Sequence, residues 1–313
     1  MNTRNLRFRS NRVRDILSLF HEDLDGMYGT GEVAVFIEML FEAFLGWGKV
    51  RLLTSREQTI DQSDLLRFHW ALEDLNRHRP IQHIIGYVDF CGCRISVNPD
   101  VLIPRPETEE IVNWILKTFN FQLSCLPAGL RPKVEQTFHL LDLCTGSGCI
   151  AIALKKAFPR ADAVAVDVSA KALEMARQNA KNNGVDVCFE QTDLLKETFH
   201  FPLSTFHLIV SNPPYVMEKE RAQMARNVLD YDPPLALFVP DDDPLRFYRA
   251  IAAIADRHLA AGGLLVVEIN EALADETSRL LSGWGFIPIV HNDFRGRPRW
   301  ISATKTNTIT LNP

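Results

Sequence analysis

The stretch from Phe138 to Asp167 leaves few folds open to this chain. An apolar run, Phe138-His139-Leu140-Leu141-Asp142-Leu143, precedes Cys144-Thr145-Gly146-Ser147-Gly148 and then an alanine- and leucine-rich segment from Cys149 to Phe158. Buried strand, glycine-rich turn and helix, in that order, open an α/β unit. A second strand, Ala163-Val164-Ala165-Val166, ends at Asp167; Ser169 is placed to cap a helix over Ala170–Asn182, which Asn183-Gly184 closes. Further short strands are expected near Val187–Phe189, His207–Val210, Leu264–Glu268, Pro288–His291 and Trp300–Ala303. The series predicts an α/β fold, a doubly wound, Rossmann-like sheet with its ligand at the carboxyl ends of the strands.

The turn alone does not name that ligand. Gly146-Ser147-Gly148-Cys149-Ile150-Ala151 matches Gly-x-Gly-x-x-Ala, and Asp167 follows at about the 20-residue spacing of dinucleotide sites. A nicotinamide cofactor and S-adenosylmethionine both set a ribose diol on such a carboxylate. Asp142 is placed to orient the turn, and Asp193, just past the third strand, either accepts from an adenine amine or caps a helix.

What separates the two cofactors lies after the fourth strand, at Ser211-Asn212-Pro213-Pro214-Tyr215. Two prolines with fixed φ and no N–H make a stiff loop rich in acceptors. The Asn212 carbonyl, beside the loop carbonyls, suits both hydrogens of a planar NH2 group, and Tyr215 suits its flat face. Such a nitrogen is a weak nucleophile, so holding it in line with an electrophile carries most of the barrier reduction. Hydride transfer asks for an acid/base residue that this loop lacks, whereas methyl transfer fits both motifs. A rigid strand-ending turn with no chemistry is the plain alternative.

The amino-terminal part reads differently. From Asn11 to about Arg79 apolar residues recur at three and four: Ile16, Leu17, Leu19 and Phe20; Val33, Phe36, Ile37, Leu40, Phe41 and Phe44; Leu65, Leu66, Phe68, His69, Trp70, Leu72 and Leu75. These predict a small helical domain, residues 1–80, with an aromatic core and a packing role for His69. Arg4, Arg7, Arg9, Arg12 and Arg14 precede or open it and read as a solvated start or a polyanion-binding arm. Residues 81–103 form a β-hairpin linker, with strands at Tyr87–Phe90 and Arg94–Val97 around Cys91-Gly92-Cys93. Residues 104–313 are left for the α/β domain. Within it, Ile103-Pro104-Arg105-Pro106-Glu107-Thr108-Glu109-Glu110 starts a helix, where the acids favour the dipole or, held between prolines, Arg105 and Glu107 face cofactor or substrate. Residues 120–137 read as a surface connection.

Charge narrows the partners. The net charge is −5, and residues 1–103 hold 12 Lys/Arg against 14 Asp/Glu, which is no basic platform for nucleic acid. Six cysteines without Cys-x-x-Cys or paired histidine spacing fit reduced thiols and no metal site. With no apolar stretch of about 18 residues and no signal-peptide core, a cytoplasmic protein without a membrane partner is expected.

Three segments together, Leu141–Ala151, Val210–Tyr215 and Ile103–Glu109, resemble the HemK/PrmC family of protein-glutamine methyltransferases, and the resemblance spans nearly the whole chain. Asp232-Pro233-Pro234-Leu235, Phe247-Tyr248-Arg249 and Glu268-Ile269-Asn270 are similar to its release-factor branch. The resemblance implies a helical amino-terminal domain, a β-hairpin and a class I S-adenosylmethionine-dependent methyltransferase fold. It implies methylation of the side-chain amide of the glutamine in the Gly-Gly-Gln loop of peptide chain release factors, the helical domain docking that protein. Cofactor contacts are then expected from Cys144, Thr145, Gly146, Ser147, Gly148, Asp167, Asp193, Leu194 and Asn212. Substrate contacts are expected from Asn212, Pro213, Pro214, Tyr215, Arg105 and Glu107, the Asn-Pro-Pro-Tyr residues being catalytic. Cys144 stands where many members have glycine, and Leu194 where some have tryptophan. A ribosomal-protein glutamine methyltransferase, a DNA or RNA amino-methyltransferase and a non-catalytic adaptor are the alternatives.

Overall fold

The computed structural model describes residues 8–125, 138–196 and 201–305. They divide into two units, one holding the residues up to Gly86 with Ala225–Tyr231, the other running from Tyr87 to Met224 and resuming at Asp232.

The first unit is helical: α1 Val13–Tyr28, α2 Thr30–Leu45, α3 Lys49–Thr54, α4 Gln62–Asn76 and α5 Ile81–Ile85. Apolar residues three and four apart share a helix face, so Ile16, Phe20 and Leu24 meet Val33, Ile37, Leu40, Phe68 and Leu72 in one core. Trp70 departs from the aromatic stripe read in the sequence. It is 61% exposed, because a residue two from Phe68 and two from Leu72 lies across the helix from both. The His69 ring meets Phe8 edge-on, its Nδ1 buried without a hydrogen bond. Of the basic start, Arg14 pairs with Glu57 at 2.9 Å and Arg9 with Glu22 at 3.7 Å; Arg4 and Arg7 lie outside the described residues.

The second unit begins with a hairpin of β1 Tyr87–Phe90 and β2 Cys93–Ser96. Cys91 and Gly92, at φ of 46° and 72°, form the left-handed pair that a two-residue hairpin turn requires. Helix α6 follows at Pro106–Cys125. The connection expected from residue 120 therefore starts later: no glycine or proline interrupts the chain before Pro127, and the helix continues to Cys125. Residues 126–137 lie outside the described chain.

Next come β3 His139–Leu143, α7 Cys149–Ala157, β4 Asp162–Asp167, α8 Ala170–Asn182, β5 Cys188–Gln191 and β6 Phe206–Ser211. After β6 the chain forms β7 Val216–Met217, α9 Arg226–Leu229, α10 Pro234–Leu237 and β8 Phe238–Val239. It ends with α11 Arg246–His258, β9 Leu259–Glu268, α12 Ala274–Gly283, β10 Phe286–Asn292 and β11 Pro298–Lys305.

Seven strands form one sheet in the order β10-β11-β9-β6-β3-β4-β5. The run from β9 to β5 is parallel, and β11 and β10 add to it antiparallel. Successive strand residues point to opposite faces. Leu140, Ala163, Ala165, Leu208 and Val210 therefore face α6, α7 and the hairpin, while Leu141, Leu143, Val164, Val166 and Ile209 face α11 and α12. From β3 the chain winds outward to β5, then returns to lay β6 on the other side of β3. That reversal opens a crevice at the carboxyl ends of β3 and β6, between the glycine-rich turn and Asn212.

Candidate functional site

Register decides which residues meet in the crevice. Leu143 lies beside both Val166 and Ser211, and Ser211 beside Val267. One residue further on, Asp167, Cys144, Asn212 and Glu268 stand in a row across four strand ends. A cavity of about 260 Å³ opens over this row, lined among others by Cys144 to Ser147, Asp167, Asp193, Leu194, Asn212 and Pro214.

The turn after β3 is held from below. The Thr145 hydroxyl and the Ala151 N–H both donate to Asp142 Oδ2, at 2.6 and 3.2 Å. Asp142 is fully buried, and burial pushes its carboxyl up to about 7. Its two glycines have separate reasons. A Cβ on Gly146 (φ 54°) would meet nothing within 4 Å, so its backbone is open to a ligand. A Cβ on Gly148 (φ 81°) would come within 3.1 Å of the Ala176 Cβ, so this glycine seats α7 against α8. Cys144 takes the left-handed conformation too, at φ 58°, without being glycine.

Asp167 accepts one N–H on each oxygen, from Gly146 and from Ser169, both at 2.9 Å. A carboxylate has about four acceptor positions, and Asp167 lines the cavity, so acceptor capacity remains there for a ribose hydroxyl. Asp193 accepts from the Leu195 N–H at 3.1 Å, closing a turn while it lines the cavity. Leu194 is buried and gives the wall an apolar surface.

At the β6 end, Asn212 and Pro214 line the cavity, whereas Pro213 and Tyr215 do not. Tyr215 turns its hydroxyl to Glu268 Oε1, 3.0 Å away, and its carbonyl accepts from Asn270 Nδ2 at 3.1 Å. Burial beside Glu268 pushes the Tyr215 hydroxyl well up, so it stays a donor. Arg105 lines the cavity but is ion-paired with the buried carboxylate of Asp232; Glu107 is half-buried and off the lining. Two residues that lie in recognised segments but were given no role complete the site: Thr108 donates to Glu268 Oε2 at 2.7 Å and accepts from Asn212 Nδ2 at 3.1 Å. Glu268 is buried, and burial raises its carboxyl pKa against the pull of those two hydroxyls. Sequence reasoning passed over these contacts because register and helix placement, not spacing, bring them together.

The donor set fits S-adenosylmethionine. Charged groups on the cavity wall are Asp100, Asp167, Asp193 and the already paired Arg105. Asp100 and Asp193 are themselves ion-paired, with Lys171 at 3.1 Å and Lys196 at 3.5 Å, so Asp167 is the charged lining group with no ion pair among the described residues. A carboxylate there, with no unpaired cation on the wall, suits a ribose diol beside a cationic ligand and opposes a pyrophosphate. This separates the two cofactors that the glycine turn left open.

Comparison with known proteins agrees. The PrmC N-terminal domain matches residues 28–86, and the Methyltransferase small domain matches residues 123–231. A release factor glutamine methyltransferase of Flavobacterium psychrophilum is 40% identical over 293 residues, 93% of this chain and 98% of its own. One of the same name from Bacteroides thetaiotaomicron is 36% identical over 93% of this chain and 99% of its own. The catalytic domain of human METTL16, crystallised with a hairpin of the MAT2A 3′UTR, shares the fold: the TM-score is 0.50, at 12% identity over 82% of this chain and 87% of that one. Identity at this level from end to end, over a strand-end site of this geometry, places the chain in the release factor glutamine methyltransferase family.

Proposed function

We infer that this enzyme transfers a methyl group from S-adenosylmethionine to the side-chain amide nitrogen of the glutamine in the Gly-Gly-Gln segment of peptide chain release factors. The observation that carries the reading is one cavity lined both by the glycine-rich turn with Asp167 and by Asn212. S-adenosylmethionine, when bound, supplies a sulfonium-activated methyl group. Cys144 to Gly148 and Asp167 hold it, with Asp193 and Leu194 at the adenine end. Asn212 Oδ1, on the cavity wall, accepts one amide hydrogen of the substrate glutamine, and the Pro213 carbonyl, off the present lining, takes the other once the substrate is seated. Together they localise the nitrogen lone pair and offset the positive charge that grows on nitrogen. Pro214 and Tyr215 make the loop stiff enough to keep those acceptors aimed. The extra proton leaves to water once the new C–N bond has made that nitrogen strongly acidic.

On the same reading, residues 1–80 dock the release factor, residues 81–103 join them to the methyltransferase domain of residues 104–313, and the enzyme works in the cytoplasm. Among the described residues no helix is long and apolar enough to cross a membrane.

Peptide mass spectrometry tests the reading. The protein is incubated with S-adenosylmethionine and, in parallel, with unmethylated release factor, ribosomal protein and nucleic-acid oligomers. One added methyl on the Gly-Gly-Gln peptide alone is the expected result. Methyl on the ribosomal protein or on a base would keep the cofactor and discard the substrate.

A further inference from the structure

We propose that Thr108 and Glu268 are positioning residues that fix which way the Asn212 amide faces. An asparagine amide has a donor end and an acceptor end of nearly equal shape, and only the acceptor end serves the transfer proposed above. The proposal rests on that reading of Asn212.

The argument is one of counting hydrogens. Thr108 is 2% exposed and sits in the first turn of α6, and its hydroxyl has a single hydrogen. That hydrogen lies toward Glu268 Oε2, 2.7 Å away, while the Tyr215 hydroxyl spends its own on Oε1 at 3.0 Å. The count holds for the ionised Glu268, whose two oxygens only accept and so take both hydroxyl hydrogens; a protonated Glu268 would release the Thr108 hydrogen, so the measurements below are made at about pH 8 and above. Thr108 Oγ1 is then left as an acceptor toward Asn212, so the Asn212 side chain must present Nδ2, as it does at 3.1 Å. Its Oδ1, which makes no hydrogen bond among the described residues, is the end left for the cavity. Turning the amide over would set an oxygen against the threonine oxygen. The residues come from three distant segments, and the strand register that puts Glu268 beside Asn212 builds the chain of bonds.

Thr108→Val and Thr108→Ser separate this role from packing. Valine keeps the shape and loses the hydroxyl; serine keeps the hydroxyl and loses a methyl. For orientation, Thr108→Val lowers kcat on release factor by on the order of 10²-fold, a size seen when one transition-state hydrogen-bonding group is lost. Cofactor Kd stays within about threefold, and Thr108→Ser recovers most of the wild-type kcat. The reverse order, valine active and serine impaired, overturns the proposal. A second measurement needs no turnover. In 15N spectra, the side-chain NH2 of Asn212, assigned by its loss in Asn212→Ala, is shifted and protected from exchange in wild type and Thr108→Ser but not in Thr108→Val. Unchanged signals in Thr108→Val also overturn it. If wild type methylates no release factor, the substrate reading fails while the NH2 signals still judge the orientation.

Discussion

At the residue scale, Asn212, proposed to act on the substrate, and the glycine turn with Asp167, proposed to hold the cofactor, line one cavity. Asn212→Ala removes the side-chain acceptor and leaves the glycine turn and Asp167 in place. It should lower kcat by about 10²-fold or more with cofactor affinity within about threefold, measured by steady-state kinetics and calorimetric titration. Equal loss of both would contradict the division. The two glycines of the turn make a paired prediction. Gly148→Ala combines a left-handed conformation with a contact of 3.1 Å to the Ala176 Cβ on a neighbouring helix, and should cost roughly 2–4 kcal/mol in urea unfolding. Gly146→Ala meets open space, so its cost is near the conformational penalty alone, about 1–2 kcal/mol, and its main effect falls on cofactor Kd. Asn212 and Asp167 were legible in the sequence because a rigid Pro-Pro step and a strand-ending acid advertise themselves locally. Glu268 and Thr108 were not, since a buried carboxylate reads like any strand-end acid until its two hydroxyl donors are found.

At the element scale, helix α8 does more than cover the sheet. Asn179 and Asn183, four apart on one face, hydrogen-bond the free edge of β2. Asn179 accepts from the Ser96 N–H at 2.8 Å and donates to the Ser96 carbonyl at 3.0 Å; Asn183 accepts from the Arg94 N–H at 3.2 Å and donates to the Arg94 carbonyl at 2.8 Å. Two side-chain amides thus stand in for a neighbouring strand. Asn179 is fully buried and also donates to the Ser147 carbonyl at 3.0 Å, which ties the hairpin to the cofactor turn through one residue. Asn179→Ala strands buried backbone groups and should cost roughly 2–4 kcal/mol, against about 1 kcal/mol or less for the half-buried Asn183→Ala, read as the shift in urea midpoint. The helix itself was readable end to end: Ser169 accepts from the Ala172 N–H at 3.2 Å, and Asn183-Gly184 ends it. Helices α11 and α12 begin after Leu245 and Leu273 with no side-chain cap, so no capping residue marks their start, although Asp275 and Glu276 stand in the first turn of α12.

At the scale of the whole molecule, the seven strands of the main sheet were in the sequence but their order was not, and the two-residue strands β7 and β8 went unread. Each apolar run announces a strand, whereas placing β6 beside β3 depends on contacts between runs far apart in the chain. That placement gathers acids at one edge of the sheet, and burial raises the pKa of Asp142, Asp167, Asp232 and Glu268 alike. The sign of the consequence follows from proton counting. For a carboxyl whose folded pKa lies above its unfolded one, the folded state holds more protons between the two values, so stability falls as pH rises through that window. For Asp142 the window runs from 3.8 to about 7. Three units correspond to about 4 kcal/mol for this one group. Urea unfolding from about pH 4.5 to 7.5 should therefore show Asp142 pulling the wild-type stability down toward neutral pH, against an opposite slope from His207 and His291, whose partly buried rings have lowered pKa values. Asp142→Asn, whose amide oxygen still accepts from Thr145 and Ala151, should remove that downward pull whatever it does to the absolute value, because the amide carries no titrating proton. A slope unchanged by the substitution would mean that Asp142 is ionised throughout the window and that any fall comes from the other buried acids.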